Sequence, residues 1–163
     1  MKVKGLHEEE IQETAELVAR FRVELCNLRG IKKPPNVAAA TEELNEYIDN
    51  GFPIFIALNE ENVIIGYIVC RIDGDVVWAE SLYVMPEYRR MGTASILYDR
   101  AEQLAKKLGN ETLYNWVHPN NEKIISFLDK KGYNVLNLIE VRKALIGENI
   151  EQKIRVDAHE FNY

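Results

Sequence analysis

Between Glu80 and Ala94 the chain reads ESLYVMPEYRRMGTA. Its first part is β-rich, and Pro86 stops it, because a proline has no N–H to give to a ladder. Arg89 and Arg90 follow, then Gly92 and the small Ala94. From Gly92 to Leu108 the apolar positions Ala94, Leu97, Ala101, Leu104 and Leu108 recur at helical steps, and Lys106, Lys107 and Gly109 mark the C-terminal end. The stretch therefore predicts a strand, a short basic loop and a strong helix. The first N–H groups of such a helix lack internal partners and sit at the positive end of its dipole. A glycine at that point lets another group approach the backbone closely. With two arginines alongside, this reads as an anion site suited to phosphate. The alternative is a glycine that only makes the turn beside two solvated arginines. There is no glycine five residues before Gly92 and no Gly-Lys-Ser/Thr, so the turn is not a nucleotide P-loop. A full Gly-x-Gly-x-x-Gly is also missing, which disfavours ATP and NAD.

Upstream, Ile11, Ala15, Val18, Phe21, Leu25 and Leu28 predict an amphipathic helix over Glu8–Arg29, closed by Gly30. Pro34 and Pro35 lie in a loop, and a second helix is expected from Thr41, as N-cap, to Gly51. The period then changes to that of strands at Ile54–Leu58, Val63–Ile72 and Val76 to about Met85, with turns at 59–62 and 73–75. Downstream a strand is expected at Thr112–Val117, a helix at Asn121–Lys131 with Gly132 as its C′ residue, and a strand at Tyr133–Arg142. Lys153–Val156 is one further strand. Helix, helix, meander, helix, strand, helix, strand is an α+β order.

The 163 residues suit one domain, and 47% apolar with 28% charged residues excludes a disordered or collagenous chain. A net charge of -6 opposes general binding to a phosphate backbone, so no nucleic-acid partner is expected. No apolar run approaches the roughly 18 residues of a membrane span, and the charged first ten residues are unlike a signal peptide. A cytoplasmic, membrane-free protein is expected, with Cys26 and Cys70 as buried thiols. His7, His118 and His159 lack metal-ligand spacing with either cysteine, so no metal is expected.

Two blocks resemble the GNAT superfamily of acyl-CoA-dependent N-acetyltransferases. LYVMPEYRRMGTA (Leu82–Ala94) is similar to its Leu-Tyr-Val-x-Pro-Glu-Tyr-Arg strand followed by Arg/Gln-x-x-Gly-x-Gly/Ala. NEKIISFLDKKGY (Asn121–Tyr133) is similar to its Asn-x-x-Ala-Ile-x-Phe-Tyr-x-Lys-x-Gly-Phe. The resemblance implies a mixed, mostly antiparallel sheet of about six or seven strands with four helices and splayed central strands. It implies a domain over 1–147, with 148–163 as an extension that closes the sheet or contacts a partner in a homodimer. Acetyl-CoA is the implied co-substrate. The backbone of Leu82, Tyr83 and Val84 would pair with its pantetheine arm, and Arg89, Arg90, Met91, Gly92, Thr93 and Ala94 would cradle its pyrophosphate. Asn121 would face the pantetheine, or serve as an N-cap, or both.

The implied reaction is attack of a neutral primary amine, from a small molecule or a peptide, on the acetyl thioester. An alkylammonium has a pKa of about 10.4 and must first lose a proton. Glu80 is the candidate base; alternatively it positions a cationic substrate or pairs with a basic group. His118 is a second candidate acceptor. The N–H of Val84 is the implied donor to the oxyanion. Where many members carry a tyrosine as the acid for the CoA thiolate, this chain has Leu128. Tyr83, Tyr88, Tyr98, a water, or unassisted thiolate departure would then serve. Leu128 also keeps open a non-catalytic acyl-CoA-binding or sensing domain on the same fold. The acceptor would be read by the region from Arg22 to Gly51, whose sequence specifies no substrate.

Overall fold

The computed structural model describes residues 1–148 and 150–163. They divide into two compact units, Met1–Trp116 and Val117–Tyr163.

The first unit is built on a five-stranded sheet in the order β1-β2-β3-β4-β5, with β1 Lys2–Gly5, β2 Ile54–Leu58, β3 Ile64–Asp73, β4 Val76–Val84 and β5 Tyr114–Asn115. Strands β1 to β4 are antiparallel to their neighbours, and β5 runs parallel to β4. The expected meander is present. β1 went unread because Lys2, Val3, Lys4 and Gly5 offer one strongly β-forming side chain; pairing with β2 makes it a strand.

Helix α1 (Ile11–Leu28) and helix α2 (Val37–Asp49) cover one face. Ala15, Val18, Ala40 and Leu44 pack there on Ile56, Tyr67, Val69 and Tyr83. Burial of such side chains contributes roughly 1.5–3 kcal/mol each. Helix α2 begins earlier than expected. Asn36, not Thr41, is its N-cap, accepting from the Ala39 N–H at 3.1 Å. Thr41 lies inside the helix and donates to the Val37 carbonyl at 2.9 Å. Three consecutive alanines, strong helix formers, carry the helix back to the loop that holds Pro35. Helix α3 (Thr93–Lys107) covers the opposite face with its buried Leu97, Tyr98 and Ala101.

Cys70, on β3, is fully buried, and burial pushes its thiol up to about 12. A raised thiol pKa means little thiolate at neutral pH, so Cys70 should resist disulfide reagents. In the folded protein at pH 8 only one thiol, that of the partly exposed Cys26, should be titrated rapidly. Two fast thiols would contradict this, and denaturation should release the second.

In the second unit, helix α4 (Glu122–Lys130) is followed by Gly132 in the left-handed region, as expected at a C′ position. Strands β6 (Lys153–Val156) and β7 (His159–Asn162) form a separate antiparallel hairpin. The strand expected over Tyr133–Arg142 is not formed: Val135, Leu136, Leu138 and Val141 are exposed and join no ladder. β-Propensity reflects fit to a paired, half-buried surface, and these residues have no such neighbour.

Candidate active site

Strand β4 changes partners along its length. Against β3 the register runs Val69↔Ser81 and then Cys70↔Ala79, so Glu80 is an extra residue with no opposite number. This is a β-bulge, which bends a strand and increases its twist. Against β5 only Trp78↔Tyr114 and Ala79↔Asn115 pair, and the ladder stops one residue before the bulge. The strand expected over Thr112–Val117 is thus cut to two residues, because β4 turns away beyond Ala79. From Glu80 to Val84 the far edge of β4 has no neighbouring strand among the described residues. The sheet forks.

The open edge points usefully. The Met85 N–H donates to the Ile65 carbonyl at 2.9 Å, so Met85 faces β3. Antiparallel alternation then turns the N–H and C=O groups of Leu82 and Val84 toward the fork and those of Tyr83 toward β3. Arg89 Nε donates to the Val84 carbonyl at 2.7 Å and Nη2 donates to Glu24 at 2.6 Å, while the guanidinium lies over the Tyr83 ring. The side chain of Arg89 is therefore committed to bracing the strand end. The backbone groups of Leu82 and the Val84 N–H are the ones presented to the fork.

Beyond the strand, a single tight turn at Pro86–Tyr88 leads to Arg90 with φ 61° and Gly92 with φ 89°, both left-handed. For arginine that conformation costs roughly 1–2 kcal/mol, and such strain gathers at functional sites. Thr93 is buried and its Oγ1 donates to the Tyr88 carbonyl at 3.1 Å, pinning the turn. The first α3 hydrogen bond runs from Ile96 to the Gly92 carbonyl, which leaves the N–H groups of Thr93, Ala94 and Ser95 without helical partners. Arg90, Met91 and Gly92 are exposed, and a Cβ built on Gly92 meets nothing within 4 Å. Arg90 forms no ion pair among the described residues. The turn is an open cradle at the mouth of the fork, lined by helix-start N–H groups and the exposed Arg90.

On the α1–α2 face, Arg71 Nε donates to Glu80 Oε2 at 2.9 Å. The same guanidinium contacts Asp73 at 3.2 Å and lies 5.0 Å from the Trp78 ring centroid and 5.1 Å from that of Trp116. A second group joins Arg22, Glu43 and Tyr47: Arg22 donates twice to Glu43, and the Tyr47 hydroxyl donates to Glu43 at 2.8 Å. Burial and this bond to Glu43 push the Tyr47 hydroxyl well above the usual phenol range. Glu43 and Tyr47 fall within the Arg22–Gly51 region expected to read the acceptor, whereas nothing in the sequence alone points to Arg71 or Trp116. Arg71 and Glu80 are brought together by the hairpin turn at 74–75 and by the bulge, and no local motif announces that pairing.

Of the tyrosines considered as acids, Tyr88 accepts from Asn59 at 3.3 Å. Tyr83 packs against Phe21 and Tyr67, with burial the main cause that raises its pKa. Tyr98 is fully buried and donates to Asn115 Oδ1 at 2.9 Å, at the last β5 residue paired to β4. The remaining candidates belong to the second unit. Asn121 is the N-cap of α4, accepting from Ile124; Leu128 is buried; and His118 Nδ1 accepts from the Asn120 N–H at 3.2 Å. No cluster of His, Cys, Asp or Glu able to hold a metal occurs among the described residues.

An α+β sheet that forks at a bulge beside a glycine-led helix has the architecture of the GNAT fold. The model of the acetyltransferase (GNAT) family matches residues 22–133, more than two thirds of the chain. The chain belongs to the GNAT acetyltransferase family. It is 26% identical over 84 residues to the probable N-acetyltransferase san of Drosophila melanogaster, a match covering 48% of this chain and 46% of that relative's length. Among solved structures, aminoglycoside 6'-N-acetyltransferase AAC(6')-Ih from Acinetobacter baumannii superposes with a TM-score of 0.67 at 18% identity, covering 90% of this chain and 99% of that one. AAC(6')-Iy in complex with the bisubstrate analogue CoA-S-monomethyl-acetylneamine does so with a TM-score of 0.67 at 17% identity, covering 88% and 98%. At these identities the structural likeness is one of fold.

Proposed function

We propose that the protein transfers an acetyl group from acetyl-CoA to a primary amine, with the CoA lying in the fork between β4 and β5. The observation that carries this reading is the continuity of the open β4 edge with the left-handed turn at Arg90–Gly92. The backbone of Leu82 and Val84 would add the pantetheine as if it were a strand. The N–H groups from Arg90 to Ala94 would hold the pyrophosphate, with Arg90 contributing charge and Arg89 acting through the backbone it braces. The complex of AAC(6')-Iy with a CoA-linked analogue of acetylneamine supports the same pairing of co-substrate and acceptor class.

In the reaction, the amine nitrogen forms a bond to the thioester carbonyl carbon, and the tetrahedral oxyanion is met by the Val84 N–H. Collapse breaks the carbon–sulfur bond and releases CoA thiolate. The proton lost by the amine goes to Glu80, directly or through a water. A free thiol has a pKa near 8.5, so the thiolate is a tolerable leaving group and the buried Leu128 need not be replaced by another acid.

Calorimetric titration of acetyl-CoA should show one site per chain. Released thiol should then be detected with neamine, spermidine or an alanine-initiated peptide. Binding without thiol release from any of the three would favour the acyl-CoA-sensing reading, for which Leu128 is the supporting residue. Absence of binding would remove both readings.

A further inference from the structure

We infer that Arg71 is a positioning residue for Glu80, held in place by the two tryptophans, and that the four side chains act as one unit at the point of the fork. The inference rests on the acetyl-transfer reading above, because Glu80 is given its task there.

A bulge residue lies outside the ladder, so strand alternation does not fix where its side chain points. Glu80 is such a residue, and something else must aim it. Arg71 does so through a single bond from Nε to Oε2 at 2.9 Å, which leaves Oε1 without a hydrogen bond among the described residues. A long arginine side chain is itself a poor fixed point unless its own rotamers are restrained. Here they are restrained on three sides. Trp78, the cross-strand partner of Arg71, has its ring centroid 5.0 Å from Cζ; Trp116 stands 5.1 Å away; and Asp73 takes Nη1 at 3.2 Å. The rings brace each other, with centroids 4.9 Å apart, and Tyr114 supports Trp78 from β5 at 5.2 Å. Arg71 and Glu80 are each about four fifths shielded, at 20% and 24% side-chain exposure, so water screens this pair less than a surface pair. Trp116 is 68% exposed, a large apolar ring that core packing alone does not explain. Its place is accounted for if it serves as the outer wall that keeps Arg71 on Glu80. Trp116 follows the last paired β5 residue directly, so the fork and the wall form together.

The test uses the full chain with acetyl-CoA and neamine, spermidine or the alanine-initiated peptide, whichever wild type acetylates best. Arg71→Met should lower kcat at least tenfold while leaving the KM for acetyl-CoA within twofold, and Arg71→Lys should recover part of the loss. Glu80→Gln should cost as much as Arg71→Met, and the double variant no more than either alone, as residues acting as a unit do. Trp116→Leu, at an exposed position that leaves the fold intact, should give a smaller loss of kcat. Trp78 and Trp116 are the only tryptophans in the chain, so the intrinsic emission spectrum reports this cluster alone. It should shift in Arg71→Met and stay unchanged in Glu80→Gln. Wild-type binding and turnover with kcat unaltered in Arg71→Met, or losses that simply multiply in the double variant, would overturn the positioning role and leave the acetyl-transfer reading standing. Failure of wild type to bind acetyl-CoA, or to acetylate any of the three amines, would remove that reading and this inference with it.

Discussion

Gly92→Asp should weaken acetyl-CoA binding at least a hundredfold, a loss of about 2.7 kcal/mol. Two effects act together. Gly92 has φ 89°, a conformation that costs a residue bearing a Cβ roughly 1–2 kcal/mol, so the turn is pressed toward another shape. The new carboxylate also stands at the mouth of the cradle, where a pyrophosphate carrying negative charge must sit. The protein should nevertheless fold, because the Cβ position is open, with nothing within 4 Å. Gly92→Ala separates the two effects: it carries the backbone penalty without the charge and should bind between wild type and Gly92→Asp. Calorimetry of the three proteins, beside their melting temperatures, decides the matter. Equal affinity across all three would place the pyrophosphate elsewhere.

The second large effect is on stability. Gly66→Ala should destabilise the protein by about 2–3 kcal/mol, as overpacking in a core does. A Cβ on Gly66 would stand 2.8 Å from the Tyr83 carbonyl oxygen, 3.2 Å from Val84 Cγ2 and 3.4 Å from Leu97 Cδ1. The first of these is backbone and has no rotamer to escape into, so β3 and β4 must part or α3 must lift. For a chain of this size the melting temperature should fall by roughly 5–10 °C. Because the strained neighbours are Tyr83 and Val84, the variant should also lose affinity for acetyl-CoA. Gly5→Ala is the control: Gly5 lies on the edge strand with no atom within 4 Å of a built Cβ, and its melting temperature should move by little. A Gly66→Ala protein as stable as wild type would mean that β3 and β4 are less tightly apposed than they stand here.

Much of the fold could be read from periodicity and turn chemistry. Ile54–Leu58, Val76–Val84 and the long α3 fall where the pattern of apolar residues puts them, whereas Gly92, expected in the first helical turn, stands just before α3 in the left-handed region. What escaped depends on partners remote in sequence. Strand β1 exists through its pairing with β2, β5 is short because β4 bends away from it, and residues 133–142 carry strand-forming side chains but pair with nothing described. In the site, the basic loop was legible, yet the work divided unexpectedly between its arginines. Arg89 is held by Glu24, a residue 65 positions away, and only Arg90 stands open. The Arg71–Glu80 pair was hidden for a related reason: it depends on the register that sets Arg71 opposite Trp78, two residues before Glu80, and nothing local in the sequence fixes that register.

The most direct measurement follows the backbone amides of the labelled protein by NMR while acetyl-CoA is added. The expected result is a saturable shift of the Leu82 and Val84 amides on the open edge of β4, together with those of Arg90, Met91, Gly92, Thr93 and Ala94. The amides of β1 should stay in place. Saturation with Leu82, Val84 and the Arg90–Ala94 amides unmoved, or shifts confined to residues outside the fork, would contradict a CoA site between β4 and β5.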